Sequence, residues 1–476
     1  MKTQNKNFIY NVLYQAFIYI FPLITIPYIS RKLGVDNIGI YSYTYSIVNC
    51  LMLFSMLGIN NYGNREISKS RDDKSKMSKL FFSIYGLQLL CGSILFLLYL
   101  IYIIFFCHNY KIIFICQIVN FISVFFDINW FYFGLEQFKL TIRRNILIKL
   151  LSTVFIFLLV KNENNLIVYT IIMGTASLLS QLYLFLKLNN FIEFKKVHFS
   201  DMKKHLKSCI ILFIPVLAYS VYRIMDKTMI GLLSSVTQLG YYENAEKIIN
   251  IPIAVITALG TVMLPRMSYL LENKSEDVEK TISQSLKLSM LLAMNMFFGI
   301  LLIASDGSII IFGKAFAKSG VIMQLLSITI VVSAWASVFR TQYLIPKSKD
   351  NIYVVTTIIG AILNFILNLI FIPMYGAVGA CIGTIVAELF LCVSQSFCLR
   401  KIFPYSRYFV LLFKELVKAL IIYLIAYSIT ISVSNIYVKL LLQVIVYSVI
   451  FIIFNWKYLY YDFLGKGHKN ESNDKK

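Results

Sequence analysis

The chain is dominated by uninterrupted apolar runs of about twenty residues, separated by short polar connectors. At 1.5 Å per residue, about twenty helical residues cross roughly 30 Å of hydrocarbon. A soluble protein of 476 residues would instead show two or more cores bounded by amphipathic faces. Here 58% of residues are apolar and the mean hydropathy is +0.73, above the roughly 45–50% apolar share of soluble domains. The runs predict spans near 8–30, 40–63, 80–106, 112–134, 145–160, 166–186, 208–232, 241–264, 288–305, 319–345, 352–373, 377–399, 415–433 and 440–456. The expected fold is an all-α integral membrane protein of about fourteen transmembrane helices. The first run follows Lys2 and Lys6, is too long for a signal peptide and lacks a small-residue cleavage site, so it reads as the first helix.

The net charge of +22 does not point to nucleic acid, because the basic residues are not gathered with groove-reading motifs. They alternate with the apolar runs. With the N-terminus inside, 33 of the 45 Lys and Arg fall in inner segments, 7 in outer connectors and 5 within spans. This bias follows the positive-inside rule and predicts cytoplasmic N- and C-termini in the cytoplasmic (inner) membrane. It also supports an even span count, since one span more or fewer would scramble the alternation. Outer connectors of about fifteen residues at most count against a glycan polymerase or ligase, which needs a sizeable outer loop. The eight cysteines show no CxxC pair, the four histidines lack metal-ligand spacing, and no GxxxxGK[ST] loop occurs. No cofactor, metal site, catalytic residue or ATP hydrolysis is expected, and the chain reads as a non-enzyme.

An internal repeat organises the helices. VDNIGIYSYTYSI (35–47) and VTQLGYYENAEKI (236–248) match at Val35/Val236, Gly39/Gly240, Tyr41/Tyr242 and Ile47/Ile248, at a constant offset of 201. Leu57-Gly58 pairs loosely with Leu259-Gly260, and Arg65 with Arg266. Both copies follow the first helix of a six-helix set starting on the same side, so the duplication is parallel. The expected organisation is an N-terminal six-helix lobe (1–207), a second six-helix lobe (208–400), and two further helices with a tail (401–476). Two such lobes commonly hold a transport site between them.

Ionisable residues within spans are costly unless they meet water or a partner, which makes them functional candidates. Arg223, Asp226 and Lys227, spaced i, i+3 and i+4, share one face of the seventh helix. They read either as a self-neutralised pair locking the helix or, since one acid faces two cations, as a site for an anionic group. Arg31, Lys32 and Asp36 lie at the outer end of the first helix, as a hydrated cluster or as the first lobe's counterpart. The eighth helix adds Glu243, Glu246 and Lys247, with Glu243 and Lys247 able to pair at i, i+4. Arg340 either snorkels to the inner interface or lines an inner vestibule. Asp127 in the fourth helix and Glu388 in the twelfth are isolated carboxylates, suited to proton or cation binding or to a neutral interhelical contact. Asn120, Asn129, Asn364 and Asn368 fit interhelical hydrogen bonds. Pro22, Pro27 and Pro215 interrupt equivalent helices and are candidate bending points.

Several stretches carry a family resemblance: ISRKLGVDNIGIYSY at the end of the first helix, NREISKSRDD after the second, MDKTMIG, and LIFIPMYGAVGACIGT (369–384). In their order and spacing, to about residue 400, the chain resembles the Wzx-type polysaccharide flippases, related to the multidrug/toxic-compound extrusion transporters and the lipid II flippase. The resemblance implies a substrate, an undecaprenyl-diphosphate-linked oligosaccharide repeat unit moved from the inner to the outer leaflet for O-antigen, capsule or similar surface polysaccharide. It implies diphosphate contact by Arg31, Arg223, Lys227 and Arg340. Ion coupling or gating falls to Asp36, Asp127, Asp226, Glu243, Lys247 and Glu388. The partners expected are the lipid-linked oligosaccharide, the phospholipid bilayer, and a polysaccharide polymerase with its chain-length machinery. The in-span charges, five basic and five acidic, depart from a purely cationic cavity. The alternative reading is a cation-coupled small-molecule exporter on the same fold; a membrane transferase and a non-transporting scaffold are more distant rivals.

Overall fold

The computed structural model describes residues 2–273 and 276–457. The segment 458–476, the tail of the third expected region, lies outside the described residues. Helices follow one another with no strand among the described residues. They are α1 (Lys2–Met56), α2 (Ile59–Ser70), α3 (Lys74–Ile101), α4 (Lys111–Ser123), α5 (Asn129–Gly134), α6 (Phe138–Leu159), α7 (Leu166–Leu186) and α8 (Phe199–Leu233). The chain continues with α9 (Val236–Asn273), α10 (Glu276–Phe312), α11 (Ala317–Phe339), α12 (Asp350–Tyr375), α13 (Ala377–Cys398), α14 (Tyr405–Thr430) and α15 (Ile436–Lys457).

Ten helical stretches among the described residues are long and apolar enough to cross a membrane. The first, Leu23–Ser70, contains two segments of α1 joined at Gly34. Helices α6, α8 and α14, of 22, 35 and 26 residues, also have the length of a crossing. Counting both segments of α1 and these three gives the expected fourteen. Large apolar side chains point outward from them: Phe105 is 68% exposed, Ile453 65% and Leu441 62%. Such faces are unfavourable in water and suited to acyl chains.

The span boundaries were displaced wherever the backbone breaks. The first two spans are separated by one residue, Gly34, at φ 77° and ψ 174°. That conformation suits a residue without Cβ, so the expected nine-residue connector shrinks to a point. Residues 2–33 stay helical through both prolines, and α8 stays helical through Pro215. The prolines therefore do not interrupt their helices, and the break falls at the glycine instead. The second span ends at Met56 rather than 63, because Leu57 and Gly58 take positive φ. Helix α2 then buries Ile59, Tyr62, Gly63, Ile67 and Ser70 on one face, the spacing of an amphipathic helix. The fourth span breaks after Phe126, where Asp127 is extended (φ −76°, ψ 94°) before α5 begins.

The helices cluster into two compact units. One comprises the chain up to Glu243 with Thr357–Gly383; the other comprises Asn244–Thr356 with the chain from Thr384. In the first, Phe81, Trp130, Phe131, Tyr132, Leu184 and Cys209 are buried together, and Phe81 stacks on Trp130 at 5.3 Å between centroids. In the second, Met294, Phe298 and Leu302 of α10 pack with Ala419, Ile422 and Ala426 of α14 and with Tyr447 of α15. The alanines, seven apart with Ile422 between them, let the helices approach closely. The Tyr447 hydroxyl donates to the Asn295 carbonyl at 3.1 Å. The last two helices are thus packed on α10.

Candidate functional site

The two copies of the repeat meet in the first unit, and they meet symmetrically. A Cβ on Gly39 would strike the carbonyl oxygen of Val236, and a Cβ on Gly240 would strike that of Val35. Val236 and Gly240 are Val35 and Gly39 moved on by 201 residues, so each glycine meets the partner copy's valine. This reciprocity is the signature of a two-fold contact, and only residues without side chains permit it. Residues near the axis touch their own counterparts. Thr237 Oγ1 donates to Asp36 Oδ1 at 2.6 Å, and Ser42 Oγ donates to Glu243 Oε2 at 2.7 Å; both pairs are 201 apart.

The charges of α8 converge on this axis. Lys227 Nζ lies 2.7 Å from Glu243 Oε2, with side-chain exposures of 23% and 11%. Glu243 was expected to meet Lys247 one turn along α9; it reaches Lys227 on the neighbouring helix. An ammonium withdrawn from water is tolerable only with such a partner and good geometry. The surplus positive charge expected on α8 is accordingly smaller than α8 alone suggests. Asp226, 2% exposed, accepts from the Tyr242 hydroxyl at 3.1 Å and from Asn368 Nδ2 at 2.6 Å. Asn368 Nδ2 also donates to Asn364 Oδ1 at 3.1 Å. Buried Asn364 Nδ2 and Asn368 Oδ1 find no hydrogen-bond partner among the described residues. Ser46 and Thr228 share a hydrogen bond at 2.9 Å, and Tyr41 packs between Tyr45 and Tyr169 at 5.8 and 4.8 Å.

Of the residues singled out in the sequence, Asp36, Asp226, Lys227 and Glu243 are brought together here. Arg223 is half-buried on the same face of α8, one turn earlier. Arg31 is exposed near the end of the first segment of α1. Asp127 belongs to a separate network. Its Oδ1 accepts from Asn129 N at 3.1 Å and Nδ2 at 2.6 Å, and Asn129 Oδ1 accepts from Arg144 Nη1 at 3.0 Å. Arg144, only 4% exposed, also donates to Gln181 Oε1 at 3.3 Å. Asp127 is therefore not isolated, because α6 begins seven residues before the predicted span and carries Arg144 inward. Gln88 Nε2 donates to the carbonyls of Val124 and Asp127 at 2.7 and 2.9 Å, satisfying the backbone where α4 breaks.

The second unit holds Arg340, Lys247 and Glu388. Arg340 opens a wide helical turn, Arg340–Leu344, and its guanidinium lies over the Tyr353 ring at 5.5 Å. Such turns recur at functional sites. Glu388 accepts from Ser333 Oγ at 3.2 Å, and Lys247 is half-buried on α9. Sequence reasoning missed Ser42, Tyr242, Arg144 and Gln181. Tyr242 was visible as a repeat match, but nothing marked it as a carboxylate's donor.

The family model for polysaccharide biosynthesis proteins matches residues 5–271, and that for the lipid II flippase MurJ matches residues 145–455. A putative O-antigen transporter of Escherichia coli (strain K12) is 22% identical over 390 residues, 80% of this chain and 93% of that protein. The probable low-salt glycan biosynthesis flippase Agl15 of Haloferax volcanii is 29% identical over 164 residues. That match spans 34% of each chain, so the chain covers about a third of that relative's length. Among solved structures, lipid II flippase MurJ in an inward closed conformation superposes with a TM-score of 0.75 at 17% identity. The superposition covers 95% of this chain and all of the MurJ chain, a likeness of fold. Each family model spans more than half of the sequence and the two overlap across 145–271: the chain belongs to the polysaccharide biosynthesis protein family and, through its later helices, to that of the lipid II flippase MurJ.

Proposed function

We propose that the chain is a flippase carrying undecaprenyl-diphosphate-linked oligosaccharide repeat units from the inner to the outer leaflet for surface polysaccharide biosynthesis. The observation that carries the reading is the largely buried cluster of Asp226 and Glu243 with the partly buried Lys227 at the repeat axis, in a chain of these families. A diphosphate needs cations where water is scarce, while its lipid tail can stay in the bilayer. Arg31, Arg223 and Lys227 are assigned to diphosphate contact, with Arg340 as an inner contact. In this reading Glu243 holds Lys227 until the diphosphate displaces it. Asp36, Asp127, Asp226, Lys247 and Glu388 are assigned to coupling or gating. The working body is taken as two six-helix lobes, 1–207 and 208–400, followed by 401–476. The 33-to-7 charge bias supports the cytoplasmic membrane with both termini inside. The chain is read as a transporter without catalytic activity, acting beside a polymerase and chain-length machinery.

Deletion of the gene should make lipid-linked glycan accumulate on the inner face and abolish surface display. Arg223→Ala and Lys227→Ala should fail to restore display while inserting normally. Full display from both variants would sink the cationic-site assignment. Small-molecule export is the second reading, favoured by the Asp226–Asn368–Asn364 cluster; drug efflux from expressing cells, with glycan display intact in the deletion, would select it.

A further inference from the structure

Apart from the repeat axis, the first unit has a cleft of about 210 Å³ at the start of α3 and α8. Lys76, Lys79 and Leu80 line it from α3, and Asp201, Lys204 and His205 from α8. Three ammonium groups therefore face one carboxylate, and that carboxylate is already engaged, with Lys204 Nζ at 2.9 Å from Asp201 Oδ1. The Lys204 hydrogen bond holds the Asp201 pKa below the usual carboxylate range, so the group stays ionised and the cleft keeps its cationic excess. His205 forms the inner wall, its Nδ1 at 2.7 Å from the Tyr62 hydroxyl. Burial lowers its pKa, so near neutral pH its ring serves as a hydrogen-bonding group rather than a fourth cation. Both helices begin at the cleft, which places their positive dipole ends beside it.

Exposed apolar side chains lie further along the same two helices, nearest to the cleft on α8. Ile210, Ile211 and Ile214 of α8 are 43%, 56% and 42% exposed, and Ile94 and Leu97 of α3 are 53% and 60% exposed. At 1.5 Å per residue, Ile210 to Ile214 lie roughly 8–14 Å along α8 from His205, and Ile94 and Leu97 roughly 23–27 Å along α3 from Lys79. A cationic cleft at the rim of an acyl-facing surface matches a lipid with an anionic headgroup. A free anion would use the lysines and leave that surface unexplained.

We propose that this cleft binds the phosphate of an anionic lipid, with Lys76 and Lys79 as headgroup ligands and His205 as a hydrogen-bond partner. Placement in the inner leaflet rests on the orientation proposed above; the binding itself does not. The site is distinct from the residues assigned to the transported diphosphate.

The test uses the full purified chain in mild detergent, with thermal unfolding and native mass spectrometry as readouts. Phosphatidylglycerol should raise the unfolding midpoint and remain bound, and phosphatidylcholine should do neither. Lys76→Gln/Lys79→Gln should weaken phosphatidylglycerol retention about thirtyfold, and Lys76→Arg/Lys79→Arg should keep it within about twofold. Both lysines are exposed, so the fold should tolerate the changes. Stabilisation by millimolar inorganic phosphate equal to that by phosphatidylglycerol would overturn the lipid assignment in favour of a free-anion site. Equal retention of both lipids, or unchanged retention by the Gln variant, would overturn the site itself. Normal glycan display by a Gln variant that has lost lipid retention would leave the site intact and separate it from transport.

Discussion

At the scale of single residues, the membrane interior makes every charge answerable to a partner. Glu243 is the clearest case, since it accepts from both Lys227 and Ser42. Glu243→Gln leaves the ammonium without its counter-charge, and removing one partner of a buried pair is destabilising. With Lys227 about a quarter exposed, the expected loss is about 1–3 kcal/mol, read as a lower unfolding midpoint in detergent. Lys227→Met/Glu243→Met should recover most of that stability while glycan display stays absent, which separates structure from transport. Arg144→Ala should cost about 1–2 kcal/mol, because it strips donors from the partly buried oxygens of Asn129 and Gln181; a change under about 0.5 kcal/mol would show that water replaces it. Lys227, Asp226 and Glu243 were legible in the sequence because an ionisable group in an apolar run is conspicuous. Ser42, Tyr242 and Asn368 were not legible as their partners, because a neutral hydrogen-bonding group inside a span is common. Arg144 was hidden differently, by a helix that begins within a basic connector.

At the scale of elements, the second segment of α1 and the start of α9 touch through bare backbone at Gly39 and Gly240. The hydrogen bonds Asp36–Thr237 and Ser42–Glu243 lie on the same line of approach. Gly39→Ala and Gly240→Ala should each force these helices apart with the helices themselves intact. Cysteines placed at Asp36 and Thr237 should cross-link through a short bis-thiol reagent in the parent and markedly less in either glycine variant. Unchanged cross-linking with normal display would show that the contact absorbs a methyl group. The repeat itself was readable, because Val35, Gly39 and Tyr41 recur at one offset. The one-residue connector at Gly34 was not, because a glycine beside Arg31, Lys32 and Asp36 reads as one member of a polar loop. Its dihedrals, set by tertiary fit, decide otherwise.

At the scale of the whole molecule, the fourteen crossings counted among the described residues and the connector charge bias imply an orientation open to direct measurement. A phosphatase fused after residue 457 should be inactive and a cytoplasmic fluorophore fused there bright; an active phosphatase would reverse the topology. Fold class was readable almost entirely from run length and connector charge, since both are dictated by the thickness and electrostatics of the bilayer. What escaped was where the spans break, at Gly34, Leu57 and Asp127. The matched contacts of Val35 with Gly240 and Val236 with Gly39 also bear on descent. If the ancestor was a half-length protein pairing with itself, each of these contacts was once a single contact made twice. After fusion the two copies could drift, but only in step where they touch. Substitutions among relatives should therefore covary along a diagonal 201 residues from the main one, strongest around 35–42 and fading where the copies no longer meet.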